Sequence, residues 1–136
     1  IIALEDFNRS FEMRNPMCGD EVKVRIKLVE TKIIDISAVV RGCALCEASA
    51  GLVVDLFKNK NVPDERFLNE FLSWLDNTEK GFSDELPIEM KIFEPIREIK
   101  NRHKCITMPF EATCKSIDLK ENQEINQGIQ NVSQTK

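Results

Sequence analysis

The chain has 136 residues, 42% of them hydrophobic and 31% charged, with a net charge of −4. That length suits one domain with its own core, and the balance excludes a wholly disordered chain, a collagen-like repeat and a low-complexity polymer. With an acidic balance, 8 Phe, 1 Trp and no Tyr, nucleic acid is not an expected partner, and no apolar run reaches the ~18 residues of a membrane span.

Ile1 to Asp6 lacks a basic region leading into an apolar stretch, so no signal peptide is expected. The expected compartment is therefore cytoplasmic, with thiols reduced. From Glu21 to Val29, Val22, Val24, Ile26 and Leu28 alternate with charged residues, which predicts a half-buried strand with a solvated basic outer face. After the break at Glu30-Thr31, Lys32 to Val40 reads as a second strand with Ile34, Ile36, Ala38 and Val40 on one face. The short link favours an antiparallel hairpin.

The period then becomes helical. Ala44 to Asn59 predicts a helix with a stripe of Leu45, Ala48, Leu52, Val53, Leu56 and Phe57, slim in its first turns. Asp64 to Asn77 predicts a second, buried through Phe67, Leu68, Phe71, Leu72 and Leu75. Pro87 and Pro95 rule out one uninterrupted helix from Phe82 to Arg102, where Ile88, Ile92, Ile96 and Ile99 mark shorter pieces. Thr107 is the expected cap of a last helix with Phe110, Cys114 and Ile117 inward. The expected fold class is α+β, a small antiparallel sheet with helices packed on one face, over residues 1–119. Residues 120–136 read as a polar, mobile or weakly helical tail.

Five cysteines are too few and too odd in number for a disulfide scaffold. Three lie at junctions: Cys18 before the first strand, Cys43 between strand and helix, and Cys105 before the last helix. Junctions bring side chains to a shared rim. Cys43 stands at a helix N-terminus, and Arg102, His103 and Lys104 precede Cys105; both settings favour thiolate. Asp20 adds a carboxylate, and three thiolates with one carboxylate make a tetrahedral set for Zn²⁺ or, with a poorer fourth donor, an iron–sulfur cluster. Cys43-Ala-Leu-Cys46 is also a C-x-x-C pair, though without a thioredoxin-like context. Cys114 continues an apolar stripe and is expected to pack in the core.

The segments 15–20 (NPMCGD), 42–51 (GCALCEASAG) and 102–110 (RHKCITMPF) resemble, in order, the three cysteine motifs of the U-type iron–sulfur assembly proteins, the family of IscU, SufU and the NifU N-terminal domain. Lys104 directly before Cys105, where IscU-type members place His, makes the chain more similar to SufU. Residues 1–14 match the family's N-terminal helix poorly, and Cys46 falls where a small or apolar residue is usual.

The resemblance implies metal ligation by Cys18, Asp20, Cys43 and Cys105. It implies Zn²⁺ as cofactor, with Cys105 accepting persulfide sulfur from a cysteine desulfurase, aided by Arg102 and Lys104. The alternative it implies is a transient [2Fe–2S] cluster assembled on the same residues and handed to apo-protein acceptors. A third reading is a structural zinc adaptor without activity, so sulfurtransferase and non-enzymatic scaffold both stay open. Cys46 and His103 are auxiliary candidates.

Overall fold

The computed structural model describes residues 2–126, with side chains through residue 118. Four antiparallel strands form one sheet in sequential order, β1 (Arg9–Arg14), β2 (Glu21–Val29), β3 (Lys32–Arg41) and β4 (Lys60–Asn61). The helices are α1 (Ala44–Phe57), α2 (Glu65–Asp76) and α3 (His103–Asn126), with 3₁₀ turns over Ile88–Glu98 and Lys100–Arg102. This is the α+β arrangement expected.

β2 and β3 form the expected hairpin, and Val22, Val24, Ile26 and Leu28 are buried. β3 differs in its face. Lys27 pairs with Asp35 and Leu28 with Ile33, leaving Ile34 as an extra residue. That bulge shifts the alternation, so Ile33 enters the core while Ile34 is exposed. Residues 9–14 form β1 on β2, with Phe11 opposite Val24 and Met13 opposite Val22.

The basic outer face of β2 is partly covered, not simply solvated. Residues 2–8 cross it: Arg25 donates to the Leu4 carbonyl at 2.8 Å, its guanidinium lies 4.5 Å from the Phe7 ring centre, and Lys27 meets Asp6 at 3.1 Å. Pairing lets the long basic side chains lie along the sheet with their heads satisfied.

α3 is the central helix, packed on β1, β2 and α1. It starts at His103, so Thr107 is a buried residue inside it and not a cap. Pro109 lies in its second turn, where the missing N–H leaves the Cys105 carbonyl without its usual helical donor. The helix continues past Leu119 to Asn126; the rest of the expected tail, 127–136, lies outside the described residues.

α1 buries Cys46, Ser49, Ala50, Val53 and Phe57, while Ala48 is exposed. The stripe is rotated from the expected one because small residues, not leucines, face the nearest neighbour. Ser49 donates to the Ile106 carbonyl of α3. In α2, capped by Asp64, the buried set includes Trp74, with Leu68 and Leu72 half-buried. Phe57, Phe67, Phe71 and Phe110 form an aromatic cluster between α1, α2 and α3, with centroids 5.1–6.1 Å apart.

Between α2 and α3 only Ile96 of the four isoleucines packs against the core, and it is half-buried. Ile88, Ile92 and Ile99 are exposed, and Met90, Phe93 and Arg97 are buried. A 3₁₀ helix repeats every three residues, which puts Met90 and Phe93 inward. Arg97 donates to the carbonyls of Trp74, Asn77 and Lys80 and lies over the Trp74 ring. It ties this segment to the end of α2. Among the described residues, no helix is long and apolar enough to cross a membrane.

Candidate metal centre

Three junctions meet at one end of the sheet. The first is the loop from β1 to β2. Asn15 is buried; its N–H donates to the Asp20 carbonyl at 2.8 Å, and its own carbonyl accepts from Gly19 at 2.7 Å and Cys18 at 3.3 Å. Its side-chain oxygen accepts from the Met17 N–H at 3.1 Å. Gly19 takes φ +82°, a region costly for residues with a Cβ. The loop turns Cys18 outward and Asp20 inward.

The second junction is the end of β3. Cys43 is the N-cap of α1. Its N–H donates to Asp20 Oδ1 at 3.1 Å and its thiol to Oδ2 at 3.4 Å. Gly42 is required beside it, because a Cβ there would overlap the Asp20 carboxylate.

The third is the first turn of α3. One ligand atom each from Cys18, Asp20 and Cys105 lies within 4.8 Å of the others. Ligands 2.3 Å from a tetrahedral Zn²⁺ stand about 3.7 Å apart, so the separations are within about 1 Å of that arrangement. Cys43, the fourth residue expected as a ligand, stands beside this group on Asp20, although its sulfur is not within 4.8 Å of all three. Three soft thiols and one carboxylate fit Zn²⁺ and suit a cluster less well through the oxygen.

The cluster grades from surface to core. Cys18 is exposed, Cys43 half-buried, Asp20 and Cys105 buried. Cys105 is therefore at the floor, not at a rim. Burial works to raise the Asp20 pKa, but hydrogen bonds from the thiols of Cys105, Cys18 and Cys43 and from the Cys43 N–H outweigh it and hold the carboxyl below its ordinary 3.8. The Cys105 thiol is pushed up to about 12, first by burial and then by its bonds to Cys43 and Asp20. Only the Arg102 guanidinium, 4.0 Å from the sulfur, pulls it down. The sequence expectation of a thiolate favoured by three cations thus gives way to desolvation. A bound cation reverses that balance by stabilising thiolate directly.

Of the other candidates, Lys104 and His103 are engaged elsewhere. Lys104 pairs with Glu111 at 2.7 Å. His103 Nε2 is 3.0 Å from the carbonyls of both Ile96 and Arg97, at the end of the 3₁₀ segment. Cys46 is fully buried in the core behind Cys43, and burial pushes its thiol up to about 12, with the charges of Asp20, Cys43 and Cys18 adding. Cys114 is likewise pushed up to about 12 by burial. The glycines flanking Cys18 and Cys43 are expected from the sequence to allow a positive φ or close backbone approach, as Gly19 and Gly42 do; the part played by Asn15 was missed, its Asn-Pro dipeptide being the available signal.

The chain is similar to several known proteins. A curated iron–sulfur cluster assembly scaffold protein, IscU of Streptococcus pyogenes serotype M1, is 25% identical over 111 residues, covering 82% of this chain and 70% of the relative. The zinc-dependent sulfurtransferase SufU of Bacillus subtilis strain 168 is 23% identical, over 81% of this chain and 75% of its own. FiSufU of the SUF system, from thermophilic Fervidobacterium islandicum AW-1, shares the fold with a TM-score of 0.69 at 22% identity, over 84% of this chain and 83% of that one. A NifU-like N-terminal structure from Brucella abortus does so at 0.66 and 23%, over 89% and 84%. Residues 3–71 match the model of the NifU-like N terminal domain, and the chain belongs to that family of iron–sulfur cluster assembly scaffolds.

Proposed function

We propose that the chain is a zinc-binding sulfur acceptor in iron–sulfur cluster assembly, working with a cysteine desulfurase. The observation that carries this reading is the meeting of Cys18, Asp20 and Cys105, with Cys43 bound to Asp20, from three junctions. Zn²⁺ held there would keep the thiols deprotonated at neutral pH. The sulfur step is an exchange: the Cys105 thiolate attacks the outer sulfur of the desulfurase persulfide, a new S–S bond forms on Cys105, and the desulfurase thiolate leaves. Arg102, the cation nearest Cys105, stabilises the attacking thiolate. Because Cys105 is buried, delivery requires its sulfur to become accessible to the desulfurase.

A second reading, a scaffold for a transient [2Fe–2S] cluster passed to apo-protein acceptors, draws support from the exposure of Cys18, which leaves one edge of the donor set open. Incubation with a cysteine desulfurase and sulfur-35 cysteine tests the first reading. Label on Cys105 without added iron supports it and excludes a purely structural zinc adaptor. An unlabelled chain that acquires a stoichiometric, transferable cluster on anaerobic reconstitution would favour the second.

A further inference from the structure

Cys46 is a thiol next to the four converging residues that the proposed function leaves unused. We propose that Cys43 and Cys46 form a thiol–disulfide pair: a peroxide oxidises Cys43, and Cys46 resolves it into a disulfide that withdraws Cys43 from the donor set.

The helix end supplies the geometry. Cys43 is the N-cap of α1 and Cys46 its third residue. An N-cap side chain normally turns over the first turn towards that residue. Here no cap hydrogen bond holds the Cys43 side chain there. Residues three apart on a helix have Cβ atoms about 5–6 Å apart, and a disulfide needs about 3.5–4.5 Å. Cys43 has φ −79° and ψ 167°, outside the helix, so a change of backbone dihedral at this junction, followed by side-chain rotation, brings the two sulfurs together.

Exposure divides the labour. Half-buried Cys43 is open to a small oxidant, whereas fully buried Cys46 is shielded from it. On the proposed function, Cys18, Cys43 and Cys105 are engaged as ligands, which leaves Cys46 uncommitted; the choice of partner rests on that reading. Cys114, nine residues beyond Cys105 on α3, is about 13 Å further along the helix.

The chemistry balances with a peroxide as oxidant. Cys43 thiol and hydrogen peroxide give Cys43 sulfenic acid and water. The Cys46 sulfur then attacks the Cys43 sulfur, the S–O bond breaks, and hydroxide leaves with the Cys46 proton as a second water. Two electrons have passed from two thiols to one peroxide. A dithiol reductant restores both, whereas Cys43 without Cys46 reacts with a second hydrogen peroxide, which is reduced to water, and reaches the sulfinic acid.

The test uses the full chain loaded with Zn²⁺, treated with hydrogen peroxide and digested with trypsin without reduction. Peptide 42–58 carries both Cys43 and Cys46 and no other cysteine; Cys18 falls in 15–23 and Cys105 in 105–115. The expected result is peptide 42–58 lighter by two hydrogens, zinc released in step, and both changes reversed by dithiothreitol. Cys46→Ala and Cys46→Ser should instead accumulate the sulfinic acid on Cys43, with zinc binding not recovered. Peptide 42–58 cross-linked to 15–23 or 105–115, a sulfinic acid in the unmodified sequence, or recovery of both variants would overturn the proposal. A chain that binds no zinc before treatment counts against the proposed function, and the peptide map still decides the disulfide.

Discussion

Cys43 binds Asp20 twice, through its N–H at 3.1 Å and its thiol at 3.4 Å, across 23 positions of sequence. The paired contact locks the start of α1 to the loop before β2. It makes the carboxylate the hub on which the thiols converge.

The hub has a consequence for Gly42. A methyl group there collides with the Asp20 carboxylate. Gly42→Ala is expected to cost about 1–3 kcal/mol as an overpacked site and to weaken zinc binding, whereas Gly51→Ala, which meets no atom, should leave zinc affinity unchanged. Competition with a zinc chelator measures both variants.

Removal of a donor should act more strongly. Asp20→Ala and Cys18→Ala are each expected to lower zinc affinity by more than about 100-fold, the upper end of what outer-shell changes cost. Cys105→Ser should abolish sulfur acceptance while the far-UV circular dichroism stays native, because the substitution nearly preserves volume. Global unfolding of that variant would assign Cys105 a structural role.

Arg97 is a separate determinant, of stability rather than chemistry. Its buried guanidinium satisfies three carbonyls near the end of α2. Arg97→Ala leaves them unpaired and should cost about 3 kcal/mol or more. Arg97→Lys should recover only part, since an ammonium lacks the planar fork. Urea unfolding of the two variants gives the comparison.

The pH dependence of the metal-free protein follows from the thiols. Cys46, Cys105 and Cys114 are each raised from 9.0 to about 12, chiefly by burial. Their stabilisation is complete below about pH 9 and is lost as pH rises from 9 towards 12, because the unfolded chain releases those protons first. Asp20 has the opposite sign: its contribution is present above 3.8 and lost as pH falls through its lower folded value. Urea midpoints measured against pH should fall at both ends, and Cys114→Ala should soften the alkaline fall. Zinc release on acidification is expected as well, since protons compete for the thiolates.

Much of this was legible in the sequence. Alternation located β2 and β3, and the three motifs pointed to the candidate site because each lies at or beside a junction between elements. β1 escaped because six residues with arginine at both ends carry a weak strand signal. The isoleucine spacing of four at 88, 92 and 96 imitated an α-helix, whereas the chain adopts a 3₁₀ repeat with Met90 and Phe93 inward. Thr107 before a proline looked like a cap, yet α3 grows directly out of the preceding 3₁₀ turn. That earlier start turns Cys105 into the core and leaves Arg102 as the cation on its sulfur. Depth of this kind is a property of packing and leaves no local pattern.

Native mass spectrometry of the freshly purified chain, beside Asp20→Ala and Cys18→Ala, tests the site most directly. The account predicts one zinc ion per unmodified chain and folded, metal-free masses for both variants. A folded, metal-free mass for the unmodified chain, or zinc retained in full by either variant, would contradict it.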